Sequence, residues 1–286
     1  MICQHCGATI PDDSHFCTYC GVSFNLADPP AYKLNLGKLL SDTFTLYGRH
    51  FGIMGIIGLI YIGITVIFDV CGILTGYPVF FALLEPIVQC YVMVVMFRQC
   101  LYTARGGIGL ERNLMSSSLG MFLPMFGLNL VFGCIILVCM LPVLALASII
   151  FGVLGQSEVA WFFFTCCTIG VLPLVCYPLT RLWLAPVFLV DRNEGVFASI
   201  ENTWQISSGN FWTLFVGIIV FFTLPICSVI ACGSLSEYVL EWDTDLIPGT
   251  LLVNAGLIPI IAIFWLGSVL AYLQLTGQPN CLDEPR

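Results

Sequence analysis

The sequence predicts an all-α integral membrane protein of six transmembrane helices, arranged as three repeated units that each begin with an interfacial amphipathic helix. Three observations carry this expectation. First, 59% of the 286 residues are hydrophobic and only 9% charged, with a mean hydropathy of +0.98, so a soluble fold of this size would lack the polar surface to cover its apolar side chains. Second, one pattern recurs. From Val196 to Phe211, the apolar or small residues Val196, Phe197, Ile200, Thr203, Trp204, Ser207 and Phe211 fall at three- and four-residue spacing, opposite Glu201, Asn202 and Gln205. Ser208, Gly209 and Asn210 interrupt it, and Asn210 or Ser208 can cap a helix that carries no charge until Glu237. Leu40-Ser-Asp-Thr-Phe44 matches Ile200-Glu-Asn-Thr-Trp204, Phe51 matches Phe211, and a looser copy, Asn113-Leu-Met-Ser-Ser-Ser118, runs into Met121 and Phe122. Third, the positive charges keep to one side of the expected spans, as set out below.

Taken in order, residues 1–26 hold Cys3-x2-Cys6-Gly7 and Cys17-x2-Cys20-Gly21, separated by ten residues. A two-residue spacer lets both sulfurs of a pair reach one ion, and glycine permits the tight turn beneath them, so Cys3, Cys6, Cys17 and Cys20 are expected to hold a structural Zn2+. Disulfides and a redox pair are the competing readings, but so short a segment has few apolar residues to fold without metal. His5 and His15 are expected at its surface. The segment resembles the short zinc-ribbon domains at the amino termini of many prokaryotic membrane proteins, which implies zinc binding and no particular activity. No basic start followed by an apolar core marks a signal peptide. Residues 27–34, with Asp28-Pro29-Pro30-Ala31, form a stiff linker.

The membrane domain is expected over residues 35–275. Leu36, Leu39, Leu40, Thr43, Phe44, Tyr47 and Phe51 make the first stripe, with Lys38, Asp42 and Arg49 off it, and residues 51 to about 74 are long enough to cross roughly 30 Å of hydrocarbon. Gly76-Tyr77-Pro78 turns the chain, and residues 79 to about 101 return. In the second unit the apolar run 119–154 exceeds one span, with Pro124 and Pro142 expected to bend it; residues 159–190 form the fourth span. The third unit supplies spans at about 211–232 and 249–275, leaving a tail, 276–286, too short for a domain.

Lys33, Lys38, Arg49, Arg98, Arg105, Arg112, Arg192 and Arg286 fall before span one, between spans two and three, between four and five, or after six. Arg181 lies inside the same end of span four. The alternate loops, around Thr75, Ser157 and Glu237 to Asp245, contain no Lys or Arg. With positive loops cytoplasmic, the expectation is a multi-pass inner-membrane protein with both termini, the ribbon and the interfacial helices inside.

Leu184-Ala-Pro-Val-Phe-Leu-Val-Asp191, Glu194-Gly195, Ala198-Ser-Ile200, Asn202-Thr-Trp204 and Gly209-Asn210-Phe211-Trp212 resemble the six-span membrane domain attached to some bacterial glycerophosphodiester phosphodiesterases, and related stand-alone membrane proteins of the YciC type. The resemblance is best over residues 180–220 and implies a membrane domain, not catalysis. The soluble phosphodiesterase barrel has no room in this chain, so no active-site residue is carried over.

Ionisable groups inside spans are the default functional suspects, since a charge at the bilayer centre costs roughly 2.5–3.5 kcal/mol on insertion scales. Asp69 and Glu85 are candidates for a cation or proton site, against the plainer reading that they reach interfacial water. Arg98 and Arg181, toward the inner side, are candidates for binding a lipid phosphate or for snorkelling to headgroups. Asn129 and Asn254 are read as interhelical hydrogen bonders. The eleven cysteines outside the ribbon, including Cys166-Cys167, read as small apolar filling. The interfacial helices, marked by Phe44, Tyr47, Phe197 and Trp204, are expected to form a cytoplasmic collar on lipid headgroups or a partner, or else to connect spans.

A formal charge of −8 and only nine scattered Lys and Arg argue against nucleic acid as a partner. Beyond the ribbon only His50 remains to supply imidazole, and Gly106-Gly107-Ile-Gly109 lacks the strand and lysine of a phosphate loop. The expectation is therefore a non-enzymatic membrane scaffold or docking protein, acting on membrane lipid and on a cytoplasmic protein through the ribbon. A transporter or lipid-handling protein is the alternative.

Overall fold

The computed structural model describes residues 32–111, 114–155, 157–234 and 247–282, and among these the regular structure is entirely helical. Helix α1, Leu36–Arg49, starts where the Asn35 side chain accepts the Lys38 N–H at 3.0 Å, and it buries Leu39, Thr43, Leu46 and Tyr47. After His50 the long apolar α2, Phe51–Thr75, follows. Gly76 ends it in the left-handed conformation (φ 71°), and Pro78 opens α3, Pro78–Ala104, where its missing N–H costs no helical bond.

Helix α4, Leu114–Leu154, runs unbroken for 41 residues. At 1.5 Å per residue that is about 60 Å, twice the hydrocarbon thickness. The looser third copy of the repeat therefore forms no helix of its own, since residues 114–118 are the first turns of α4. Helix α5 covers Glu158–Leu182 and α6 Ala185–Arg192. The expected fourth span, 159–190, is thus two helices. Pro186 cannot donate to the Leu182 carbonyl four residues back, so the chain turns at Trp183 and Leu184 and Pro186 is taken into the first turn of α6. Asn193, the one described non-glycine residue with positive φ (54°), ends α6.

Helix α7 spans Val196–Ile206 and α8 Phe211–Ser234, with a 110° bend between them. Gly209, at φ 82°, makes this corner, a conformation that costs glycine little. Helix α9, Ile247–Thr276, is the packing centre and touches α1, α2, α3, α6 and α8. Its core contacts are aromatic: Tyr272 meets Phe188 edge-on at 4.7 Å, and Trp265 meets Tyr61 at 4.9 Å. The Phe221 ring lies so close to Gly267 that a Cβ there would come within 2.5 Å of it.

Large apolar side chains also face outward along the helices, among them Ile56, Leu59 and Ile67 on α2, Leu83 on α3, and Leu137, Val138 and Ile149 on α4. An apolar perimeter of this extent calls for lipid around it. Three described helical stretches are long and apolar enough to cross a membrane, Phe51–Gly72, Val79–Ala104 and Leu114–Gly152, or four if the bent pair α7 and α8 counts as one span. The protein is a helical membrane protein on this evidence of length and composition.

Candidate functional site

Polar chemistry concentrates at one end of the bundle, where both ends of the described chain meet. The residues leading into α1 lie across the break between α7 and α8. There the Asn210 carboxamide accepts the Leu34 N–H at 3.1 Å and donates to the Tyr32 carbonyl at 3.1 Å. The Tyr32 ring packs onto Gly277, where any Cβ would collide with it, and the Asn35 N–H donates to Gln274 at 3.4 Å. The carboxyl-terminal segment closes the same end: Asn280 donates to Asp42 at 3.1 Å and the Cys281 N–H to the Ala104 carbonyl at 2.9 Å. Burial pushes the Cys281 thiol above its ordinary value.

Beside this strap sits an ionic hub. Asp191, with 9% of its side chain exposed, receives both Arg105 guanidinium nitrogens at 2.7 and 2.9 Å and the hydroxyl of fully buried Tyr272 at 2.6 Å. Arg105 also donates to Gln278 at 2.7 Å, so α3, α6, α9 and the terminal segment share one set of charges. A cleft of about 510 Å3 opens here, lined by Arg98, Tyr102, Arg105, Gly106, Glu111 and Asp191. Its charges balance, because Arg98 pairs with Glu111 at 3.2 Å and gives a second bond to the Ser117 carbonyl at 3.1 Å. Buried Gln99 clips the loop above, donating to the Gly109 carbonyl at 2.9 Å and accepting the Glu111 N–H at 3.2 Å. In the sequence Asp191 stands out only as part of a motif and Arg105 only in the charge bias, while Tyr272 and Gln99 carry no mark; the carboxylate inside the Leu184-to-Asp191 motif is the signal that points here.

Arg181 has different surroundings. Its guanidinium lies 4.6 Å from the Trp204 ring centre and 5.4 Å from that of Tyr177, rings set nearly at right angles, and one nitrogen donates to the Trp204 carbonyl at 3.4 Å. The structure thus brings Arg181 and Trp204 together and places Arg98 apart from them, on α3.

Within the expected membrane, Glu85 accepts from Gln89 at 2.7 Å. Gln89 also donates to Thr65 at 2.9 Å and accepts the Tyr61 hydroxyl at 2.6 Å. Asn129 donates to the Met125 carbonyl at 3.0 Å and contacts the Cys90 sulfur at 3.5 Å, so it packs α4 against α3 as an interhelical hydrogen bonder. The side chains of Asp69 and Asn254 lie outside the described residues, as do Cys166 and Cys167. Of the aromatic markers, Tyr47 is buried, whereas Phe44, Trp204 and especially Phe197 (80% exposed) point outward. The buried face of α7 is made by the small residues Ser199 and Thr203, continued by Ser207 beyond its end.

The expected zinc ligands Cys3, Cys6, Cys17 and Cys20 lie outside the described residues, and among the described ones no group of three or more His, Cys, Asp or Glu could hold a metal. Residues 2–21 match the family model of the zinc-ribbon domain. The donor chemistry agrees, since four thiols in two closely spaced pairs are the set a tetrahedral structural zinc takes. No curated protein and no solved structure matches the chain.

Proposed function

We propose that the chain is a non-catalytic scaffold of the inner membrane that presents its zinc ribbon to a cytoplasmic protein partner from a fixed root. The observation that carries this reading is the double hydrogen bond of Asn210 to residues 32 and 34, which fastens the chain following the ribbon to the membrane body. A tethered module needs no such fastening; one that must present a surface in a defined place does. In this reading α5, α8 and α9 complete six crossings. At 25, 24 and 30 residues each is longer than about 30 Å. Residues 32 and 277 touch, so the described chain leaves the bundle at the end where it entered, as an even number of crossings requires. The positive-inside bias sets that end in the cytoplasm.

The test is affinity isolation of the full chain from its own membranes, beside the Cys17→Ser chain and the wild type stripped of zinc. The docking reading expects one protein retained by the wild type and lost from both comparisons, with the membrane body still folded. Equal recovery from all three would rule it out. The Glu85, Gln89, Thr65 and Tyr61 chain favours a second reading, a transporter whose coupling ion meets Glu85. That reading expects Glu85→Gln to abolish ion-coupled uptake in vesicles while leaving partner recovery intact.

A further inference from the structure

The arginines at the inner end differ in what neutralises them. Arg98, Arg105 and Arg192 each face a carboxylate, from Glu111, Asp191 and Glu194. Arg181 faces none among the described residues. Its charge rests against two aromatic rings, only the 3.4 Å bond to the Trp204 carbonyl engages its donors, and its Nε is buried with no hydrogen-bond partner. A guanidinium has five N–H donors, and the terminal ones that the Trp204 carbonyl does not engage are not among the buried unpaired atoms, so they are the donors an anionic acceptor at the edge of the guanidinium plane would take. We propose that Arg181 is the anchor of a phosphate site, filled by the phosphate group of an anionic membrane phospholipid.

Three features favour phosphate over the alternatives. The planar fork of arginine matches two phosphate oxygens at once, and the two aromatic rings beside it hold the fork in place without using its N–H groups. The site lies at the corner where α7 turns by 110° into α8, and Tyr177, Trp204 and Trp212, exposed around that corner, have the amphipathic character of residues at headgroup level, beside the exposed apolar ring of Phe197. Arg98, the other sequence candidate, already spends its guanidinium on Glu111 and the Ser117 carbonyl, so it has little left for a ligand. Nothing here depends on a partner for the ribbon.

The experiment uses the full chain purified in mild detergent, delipidated, and titrated with phosphatidylglycerol, with phosphatidylcholine and with inorganic phosphate, bound ligand being counted by native mass spectrometry. Wild type is expected to retain phosphatidylglycerol about tenfold better than phosphatidylcholine, and Arg181→Gln to lose that preference, as removal of a charge-assisted hydrogen bond implies. Arg181→Lys keeps the charge without the fork and is expected in between; Arg192→Gln, which removes a charge already paired with Glu194, is expected to bind as wild type. Inorganic phosphate that binds wild type alone and displaces the lipid would show a site for free phosphate; failure to compete would show that the lipid headgroup is the ligand. A wild type with no preference for phosphatidylglycerol and no phosphate binding overturns the proposal whatever the variants do. So does an Arg181→Gln chain that melts as wild type does and still binds.

Discussion

A carboxylate that accepts from three donors while almost withdrawn from solvent cannot be replaced by a neutral amide without weakening those bonds. Asp191 is that residue, holding Arg105 and Tyr272 together at the junction of α3, α6 and α9. Asp191→Asn is expected to lower the stability of the membrane body by about 2 kcal/mol, since Arg105 is partly solvated and so loses less than a buried cation would. Glu194→Gln, breaking the looser 3.7 Å contact with Arg192, is expected to cost less than about 1 kcal/mol. Thermal melts of the purified variants in one detergent check both; equal shifts would remove Asp191 from its place as hub. The sequence marks Asp191 only as the end of an apolar run. A hub is defined by which distant side chains converge on it, and Arg105 and Tyr272 lie 86 and 81 positions away.

At the scale of elements, the break between α7 and α8 was legible because Ser208, Gly209 and Asn210 punctuate it chemically, and only glycine accepts the φ of 82° at its corner at little cost. The division of span four was not, because Pro173 and Pro178 sit within α5 while Pro186 starts a new helix, and proline identity alone does not say which it will do. The buried side of α7 was half legible. Thr203 and Ser207 were on the expected stripe, but small residues let this helix approach its neighbours while Phe197 and Trp204 face outward. The use of Asn210 as a clamp was hidden, since an asparagine before a helix looks like a cap in either case. Asn210→Ala is expected to free residues 32–35 and leave the helices intact. Hydrogen exchange at Leu34 should rise at least about tenfold, the loss of one net hydrogen bond, while amides inside α9 stay protected. Unchanged exchange at Leu34 would remove the fixed root from which the docking reading starts. Between α8 and α9, Gly267→Ala is expected to cost about 1–3 kcal/mol in a thermal melt, because the Phe221 ring that a Cβ would strike is itself buried and has nowhere to swing.

At the scale of the whole molecule, two parts draw their stability from different sources. The ribbon segment has four thiols and few apolar residues, so metal is expected to supply its folding energy, of order 10–16 kcal/mol in comparable peptides; the helices draw theirs from packing and from lipid. Chelation is therefore expected to remove about one zinc per chain and expose the four cysteines to thiol reagents, with the helical circular dichroism of the body unchanged; joint loss of both signals would show one cooperative unit. Crossing number is the other property of the whole. The proposed six crossings would put the loop near Ser157 opposite the end where residues 32 and 277 meet. Short epitope tags test this in intact cells stripped of their outer layers: one between Gly155 and Ser157 is expected to be cleaved by added protease, and tags at either terminus only after the membrane is opened. Tags at the two termini that respond differently would mean an odd number of crossings. The Tyr32 ring, which packs directly onto Gly277, would then have to reach across the bilayer, which a single side chain cannot do, so that single outcome would overturn both the span count and the packing of the strap.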